Sequence, residues 1–337
     1  MLRLIENERE LVEQMCAPSP AVCAAVAHID GAVMVLGAGG KMGPTLCELL
    51  VRAGARRVIA VSRFSDAVQR QYLEELGVET IAADLLDTAA LNNLPTAPYV
   101  YLLAGFKFGA TGNEDTTWAM NTGLPGDVVR RYATSKIVYI SSGNVYAYSD
   151  IASAGADEEG GLEPIGEYAQ SRLGGERLAQ YWARVQGTAL AIVRLFYATE
   201  LRYGIIHDLA WKVWQREPID LTMGYVNQIW QGDANAYLCR SFALCQSPAV
   251  FVNLTGAAVL STRALAERMG ELMGVAPIFV NEEARDALLG DARRLFAQMG
   301  EPEVAVEQML KWTAHWVQQG GKSLGKPTKY ESRSGKF

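Results

Sequence analysis

Apolar residues along this chain follow two rhythms. Short unbroken runs at Ala32–Leu36, Val58–Val61, Val78–Ala82, Tyr99–Leu103, Ile137–Ser141 and Leu190–Phe196 have the character of strands buried on both faces of a parallel sheet. Between them the spacing opens to three and four. Leu46, Leu49 and Leu50 follow Pro44 and stop at Gly54, and 65–77 ends at Gly77. Trp118–Thr134 and Glu167–Ala183 complete the helical intervals. Strands alternating with helices predict an α/β fold with a doubly wound parallel sheet. Upstream, 3–15 and 19–28 read as helices, the second entered through Ser19-Pro20. Beyond Phe196 the rhythm changes. The chain is aromatic and irregular to about 225, then offers a helix over Asp233–Leu244, a strand at Val250–Leu254 and a helix over Ser261–Met273 capped by Ser261. The remainder reads as mostly helical to about Gln319.

Composition narrows the function classes. Of 337 residues, 50% are hydrophobic and 20% charged, enough to build a core and too apolar for disorder. Lys and Arg number 31 against 37 Asp and Glu, and a net charge of −6 argues against nucleic acid as a partner. No apolar run reaches the roughly 18 residues that span a bilayer, and the acids of MLRLIENERELVEQ do not suit a targeting peptide. The five cysteines form no CxxC pair and read as buried thiols of a cytoplasmic protein. The three histidines, His28, His207 and His315, have no metal-ligand spacing, so no metal site is expected.

The densest chemical signal is GAGGKMG, between the first strand and its helix. Gly37, Gly40 and Gly43 form GxxGxxG, with Lys41 and Met42 inside it. Glycines let backbone approach a pyrophosphate, and the helix N-terminus behind them offers free N–H groups and partial positive charge. In this strand–turn–helix setting the motif predicts dinucleotide binding on a Rossmann-type fold. The second strand ends at Ser62-Arg63, 25 residues beyond Gly37, where an NAD site usually carries a carboxylate. A hydroxyl and a guanidinium favour the 2′-phosphate of NADP over NAD, which stays the alternative.

The strand IVYISS leads into Gly143-Asn144-Val145, and Tyr168-Ala-Gln-Ser-Arg172 opens a helix with Tyr168 and Arg172 one turn apart. With Asp84-Leu85 after the third strand, Leu103-Ala104-Gly105 after the fourth and Asn121 in the next helix, this set resembles the extended short-chain dehydrogenase/reductase superfamily. Within it, the likeness is to the NAD(P)-dependent epimerase/dehydratase family, over residues 32–260. The resemblance implies that Asp84 and Leu85 bracket the adenine, that Leu103, Ala104 and Gly105 line the nicotinamide side, and that Asn121 belongs to the cofactor site. It implies Tyr168 as general acid/base, Ser142 as the hydroxyl that positions the reacting oxygen, and Arg172 as the cation beside them. A phenol titrates near 10, so work near neutrality calls for neighbouring positive charge.

Three departures qualify the resemblance. Arg172 stands where the family has Lys, and a planar fork is not an ammonium. Gly143 and Asn144 replace the Asp-Glu of the sugar dehydratases, which argues against loss of water. In Arg194-Leu195-Phe196-Tyr197, Tyr197 takes the place of an Asn that contacts nucleotide-sugar diphosphates. The expected substrate side comprises Lys107, Ser142, Asn144, Tyr197, Tyr203 and His207. The expected organisation is an N-terminal helical extension over 1–30, then a dinucleotide domain over 31–196, regained at about 226–256. A smaller, mostly helical C-terminal substrate lobe takes 197–225 and 257–337. The tail GGKSLGKPTKYESRSGKF, with five cations and one acid, reads as solvated or as a positive flap over an anionic substrate. The expected activity is hydride transfer on a sugar or sugar-acid hydroxyl or carbonyl by an oxidoreductase or epimerase, with a homodimer implied by resemblance. The alternatives are a nucleotide-sugar epimerase and a non-catalytic NADP-binding protein of the same fold.

Overall fold

The computed structural model describes residues 3–107 and 109–335. Its centre is a seven-stranded sheet of β1 (Val33–Leu36), β2 (Val58–Ser62), β3 (Glu79–Ala82), β4 (Tyr99–Leu102), β5 (Lys136–Ser142), β6 (Ala189–Leu195) and β7 (Val250–Leu254). The order is β7-β6-β5-β4-β1-β2-β3, every pair parallel. The chain winds outward from β1 in both directions. A crevice therefore opens at the carboxyl ends of β1 and β4, where such sheets bind ligands.

Alternation along each strand sorts side chains into two cores. Val33, Val35, Val138 and Val193 face one side with Leu46 and Leu50 of α3 (Gly43–Arg52). Met34, Leu36, Ile137 and Ile192 face the other, with side chains of α5 (Thr88–Asn93), α7 (Leu124–Arg131) and α8 (Gly166–Gln186). α4 (Ala67–Glu75) sends Leu73 into the first core, and α6 (Glu114–Trp118) precedes α7. A third core joins α9 (Ile205–Gln215), α11 (Thr262–Met273) and α13 (Val306–Gln318) into the C-terminal lobe, while α10 (Gln231–Arg240) returns to the sheet and α12 (Arg293–Met299) lies beside β7.

The N-terminal helices α1 (Glu8–Met15, capped by Asn7) and α2 (Pro20–Ala27) divide their loyalty. Leu11 and Met15 enter the lobe core, whereas Val22 and Val26 enter the sheet core. Glu8 also pairs with Arg202 and Lys322. This segment fastens the two lobes together.

Several expected elements are corrected. The first helix begins at Glu8, not residue 3, because the Asn7 side chain accepts from Glu10 N–H and caps it there. The irregular stretch to 225 contains α9. Its Ile205, Ile206, Leu209, Ala210 and Val213 bury one stripe, and packing overrides the weak helix preference of two tryptophans. The turn after Asp84 continues into α5, capped by Asp87. The run to Gln319 is only partly helical. Ile278–Val280 pairs as a strand with Pro218–Asp220, and Asp286–Ala287 with Ser149–Asp150, two β-ladders with partners far away in sequence. The helix expected at Trp118–Thr134 starts at Glu114 and passes through a π-helical turn at Ala119–Gly123.

Candidate active site

The glycine turn is built for close approach. Gly37 has φ 89°, and a Cβ there would lie 2.5 Å from the Ala104 nitrogen. The Leu103 and Ala104 N–H groups donate to the Leu36 carbonyl at 2.8 and 3.1 Å, which lays the loop after β4 across the end of β1. At Gly43 a side chain would strike the Ala38 carbonyl. Met42 caps α3 without a side-chain hydrogen bond, so the N-terminus faces the turn unblocked. This cradle fits a cofactor diphosphate. Ser62 places its hydroxyl against Gly39, Arg63 stands exposed beyond it, Leu85 is buried, and the exposed Asp84 takes Leu86 N–H on its own carboxylate.

Asn121 holds the next loop. Completely buried, it accepts from Phe106 N–H at 2.8 Å and donates to Phe106 O and to Ser171 Oγ at 2.9 and 3.1 Å. It thus ties Gly105–Lys107 to α8. The Lys107 ammonium lies 5.7 Å from the Tyr168 ring centre and 5.8 Å from that of Tyr197. Tyr168 also stands within electrostatic range of Tyr139, Tyr197 and Tyr203. Burial lowers the Lys107 ammonium to about 8 and raises the phenols of Tyr197 and Tyr203 well above the usual range.

Lys41 leaves the glycine turn for the C-terminal lobe. Its ammonium donates to Ala198 O at 2.7 Å and covers the Tyr203 ring at 3.9 Å. Burial pulls it down to about 7, with Glu200 and Asp208 opposing that pull and Arg202 and Lys107 adding to it.

Ser141 and Ser142 part company at the end of β5, as alternation requires. Ser142 Oγ bonds Asn144, donating to Oδ1 at 3.0 Å and accepting from N–H at 3.2 Å. Ser141 donates to Glu176 at 2.6 Å, and Glu176 receives Arg194 on both oxygens at 3.0 and 2.8 Å. Arg194 continues to the Tyr146 hydroxyl at 2.7 Å, and Tyr146 to Asn253 at 2.8 Å. Sequence reasoning missed Glu176. Its signal was the stripe Tyr168, Arg172, Glu176, spaced four apart along α8.

Two expected residues have other partners. Arg172, 3% exposed, donates to the carbonyl of Ile140 and, at 3.5 Å, to that of Ala104, and stacks on Tyr139. Its guanidinium braces the strand ends beneath Gly105. His207 is buried in the lobe with Nε2 on Ser323 Oγ at 3.1 Å, and burial lowers its pKa. It anchors the tail. That tail runs from Gly321 across the lobe. Thr328 bonds Asp208, Arg333 pairs with Asp286, Tyr148 donates to Arg333 O, and Gly335 lies in backbone contact with Ile165 and Gly166 at the start of α8. A small cavity remains between Asn144 and Tyr148 on one side and Ser332 and Gly335 on the other. Among the described tail cations, Arg333 is thus neutralised by Asp286.

Among the described residues no cluster of three or more His, Cys, Asp or Glu could hold a metal, and no helix is long and apolar enough to cross a membrane. All five cysteines are free.

Comparison with known proteins places this geometry. No curated protein sequence matches the chain. Among solved structures, UDP-glucuronic acid 4-epimerase from Bacillus cereus in complex with NAD aligns with TM-score 0.70 at 17% identity, covering 86% of this chain and 100% of that one. MoeE5 in complex with UDP-glucose and NAD aligns with TM-score 0.68 at 21% identity, over 86% and 99%. A UDP-galactose 4-epimerase gives TM-score 0.68 at 20% identity over the same shares. At such identities the likeness establishes the fold. The family model for the NAD dependent epimerase/dehydratase family matches residues 33–199, from β1 to just past β6.

Proposed function

We propose that the protein is an NAD(P)-dependent oxidoreductase or epimerase acting on a hydroxyl or carbonyl of a sugar or sugar acid. The observation that carries this reading is continuity. The glycine turn touches Ala104, Ala104 leads to Lys107, and Lys107 stands against Tyr168. A cofactor-binding turn and an acid/base phenol are thereby joined by one short loop.

Gly37, Gly40, Gly43 and the open N-terminus of α3 would hold the diphosphate, and Leu85 the adenine side. A nicotinamide, when bound, accepts or returns a hydride. Tyr168 then moves the proton at the substrate oxygen while Ser142 holds that oxygen in place. Arg63 beside Ser62 supports NADP, because a guanidinium pairs with a 2′-phosphate where a carboxylate would repel it. The NAD in the neighbouring structures supports the alternative. Those same neighbours carry UDP-sugars, which supports a nucleotide-sugar epimerase as the second reading. Exposed Leu178, Tyr181 and Val185 on α8 suit a homodimer contact, and the free thiols suit the cytoplasm.

Fluorescence titration with NADPH and NADH, followed by turnover on sugars and sugar acids, tests the reading. Binding of neither nucleotide overturns it. Arg63→Ser weakens NADPH about tenfold and spares NADH. Net NADPH consumption identifies a reductase, and interconversion without it an epimerase.

A further inference from the structure

We infer that the C-terminal segment Thr328–Gly335 positions Tyr168: it holds the entry of α8, and with it the first helical turn that carries the phenol. This deepens the proposed function and rests on it for the role of Tyr168.

The argument begins with how α8 starts. Among the described residues no side chain caps it, because the residue before it is Ile165, which offers the free N–H groups no acceptor. Its first residue, Gly166, has φ 80°, a conformation that glycine adopts readily and leaves as readily. Tyr168 comes two residues later. Glu167 takes the indole N–H of Trp118, a contact between two exposed groups. Deeper in, the helix is well held. Ser171 Oγ donates to Tyr168 O at 2.8 Å and accepts from Asn121 at 3.1 Å, and Thr122 donates to Ser171 O at 2.7 Å. By local sequence alone the entry itself would fray.

Gly335 lies at that entry. A Cβ on Gly166 would stand 2.6 Å from the Gly335 carbonyl oxygen, and one on Gly335 would strike the Ile165 carbonyl. Gly335 also has positive φ, 68°. Two glycines cross here because a side chain on either would collide with the other's backbone. The segment reaches the crossing already fixed. Thr328 gives its N–H and its hydroxyl to Asp208 of α9 at 2.8 and 2.6 Å, and Tyr330 is buried. The Arg333 guanidinium pairs with the Asp286 carboxylate at 2.6 Å, donates to the Asp286 carbonyl at 3.0 Å and covers the Tyr148 ring at 4.3 Å. The small cavity that Ser332 and Gly335 share with Asn144 adjoins the crossing, and Asn144 is the partner of Ser142. One segment thus meets both the element that carries Tyr168 and the residue that holds Ser142. Moving the helix entry by about 1 Å is enough to cost on the order of 100-fold in rate.

Hydrogen–deuterium exchange on the full chain reads the helix entry, and steady-state kinetics read the phenol. In Gly335→Val the added side chain pushes the segment off Ile165. Amides over Ala169–Arg172, the first that can bond within α8, are expected to exchange about tenfold or more faster, while those over Glu176–Ala183 keep the parent rate. With NADP or NAD as nucleotide and D-glucuronate, D-glucose and UDP-glucose as probes, kcat falls about 10- to 100-fold while nucleotide affinity stays within about twofold. Gly325→Val is the control. Its φ of 62° is equally left-handed, but no described atom stands within 4 Å of the added Cβ, so exchange and kcat match the parent. Arg333→Met loosens the segment without a clash and gives the same pattern at about three- to tenfold, and Arg333→Lys keeps most of the parent behaviour.

Unchanged exchange over Ala169–Arg172 in Gly335→Val overturns the inference. So does an equal rise in Gly325→Val, or faster exchange with kcat unaltered. If Gly335→Val does not fold, Arg333→Met decides by the same readouts, and if the parent turns over none of the three probes, the exchange pattern decides. Failure of the proposed function looks different: no nicotinamide nucleotide binds the parent protein, whatever the exchange pattern.

Discussion

Ser141 and Ser142 are neighbours in sequence and belong to two unlike regions. Behind Ser141 every charge is met: Glu176 and Arg194 close on each other bidentately and pass the chain of bonds to Tyr146 and Asn253. The region assigned to Ser142 also holds two desolvated ammoniums among phenol rings, Lys41 over Tyr203 and Lys107 beside Tyr168 and Tyr197. The closed face spends its polar groups on one another and gains rigidity. The open face holds charge and hydroxyls in poor solvent, the arrangement that marks it as the candidate site. One strand end thus separates what keeps the site in place from what the site does.

The comparison breaks most visibly on the closed face. Glu176→Ala leaves Arg194 buried without its partner and lowers the unfolding free energy by about 3–5 kcal/mol in urea titrations. A loss under ~1 kcal/mol would show that the pair contributes little to rigidity. On the open face, Tyr168→Phe reduces turnover about 100-fold or more while nucleotide binding and the urea midpoint stay put. The two serines give a finer contrast. Ser141→Ala costs about 1.5–3 kcal/mol of stability, the range for a hydrogen bond to a charged group. Ser142→Ala changes stability by less than ~0.5 kcal/mol and slows turnover by about 10- to 100-fold.

The smallest effect is a pH dependence. The folded protein holds Lys41 near 7, below its value of 10.5 in the open chain, so between these pH values the unfolded chain binds more protons. The cost is present in full below about 7 and fades as pH rises towards 10.5. In nucleotide-free protein, Lys41→Met therefore gains stability at pH 7, on the order of 1 kcal/mol after solvent screening, and loses that advantage by pH 10. A stability difference that stays constant over this range would contradict the buried-ammonium account.

The parts legible in the sequence are those fixed by local rules. The run at Val33–Leu36, glycines spaced by three, and the hydroxyl ending β5 each announce themselves within a few residues. The strands at Ile278–Val280 and Asp286–Ala287 do not, because what makes them strands is a partner far away in the chain. α9 was hidden for a similar reason, its apolar stripe being completed by α11 and α13. At the site, position proved easier to read than direction. Arg172 sits one turn after Tyr168, but the carbonyls of Ile140 and Ala104 decide where its longer, forked side chain goes. His207 was assigned to substrate on sequence order alone, and its bond to Ser323 depends on a segment more than a hundred residues later.

The path of the tail has a consequence for handling the protein. Lys322, Lys326 and Lys329 are exposed along it, while Thr328 and Tyr330 are buried among them. A protease that cleaves after lysine can cut this strap while the seven-stranded sheet remains folded. The clipped molecule would keep the glycine turn and lose the wall that Ser332 and Gly335 give the small cavity beside Asn144 and Tyr148. Nicking and catalysis would then fall together while the bulk of the fold gave no sign of damage.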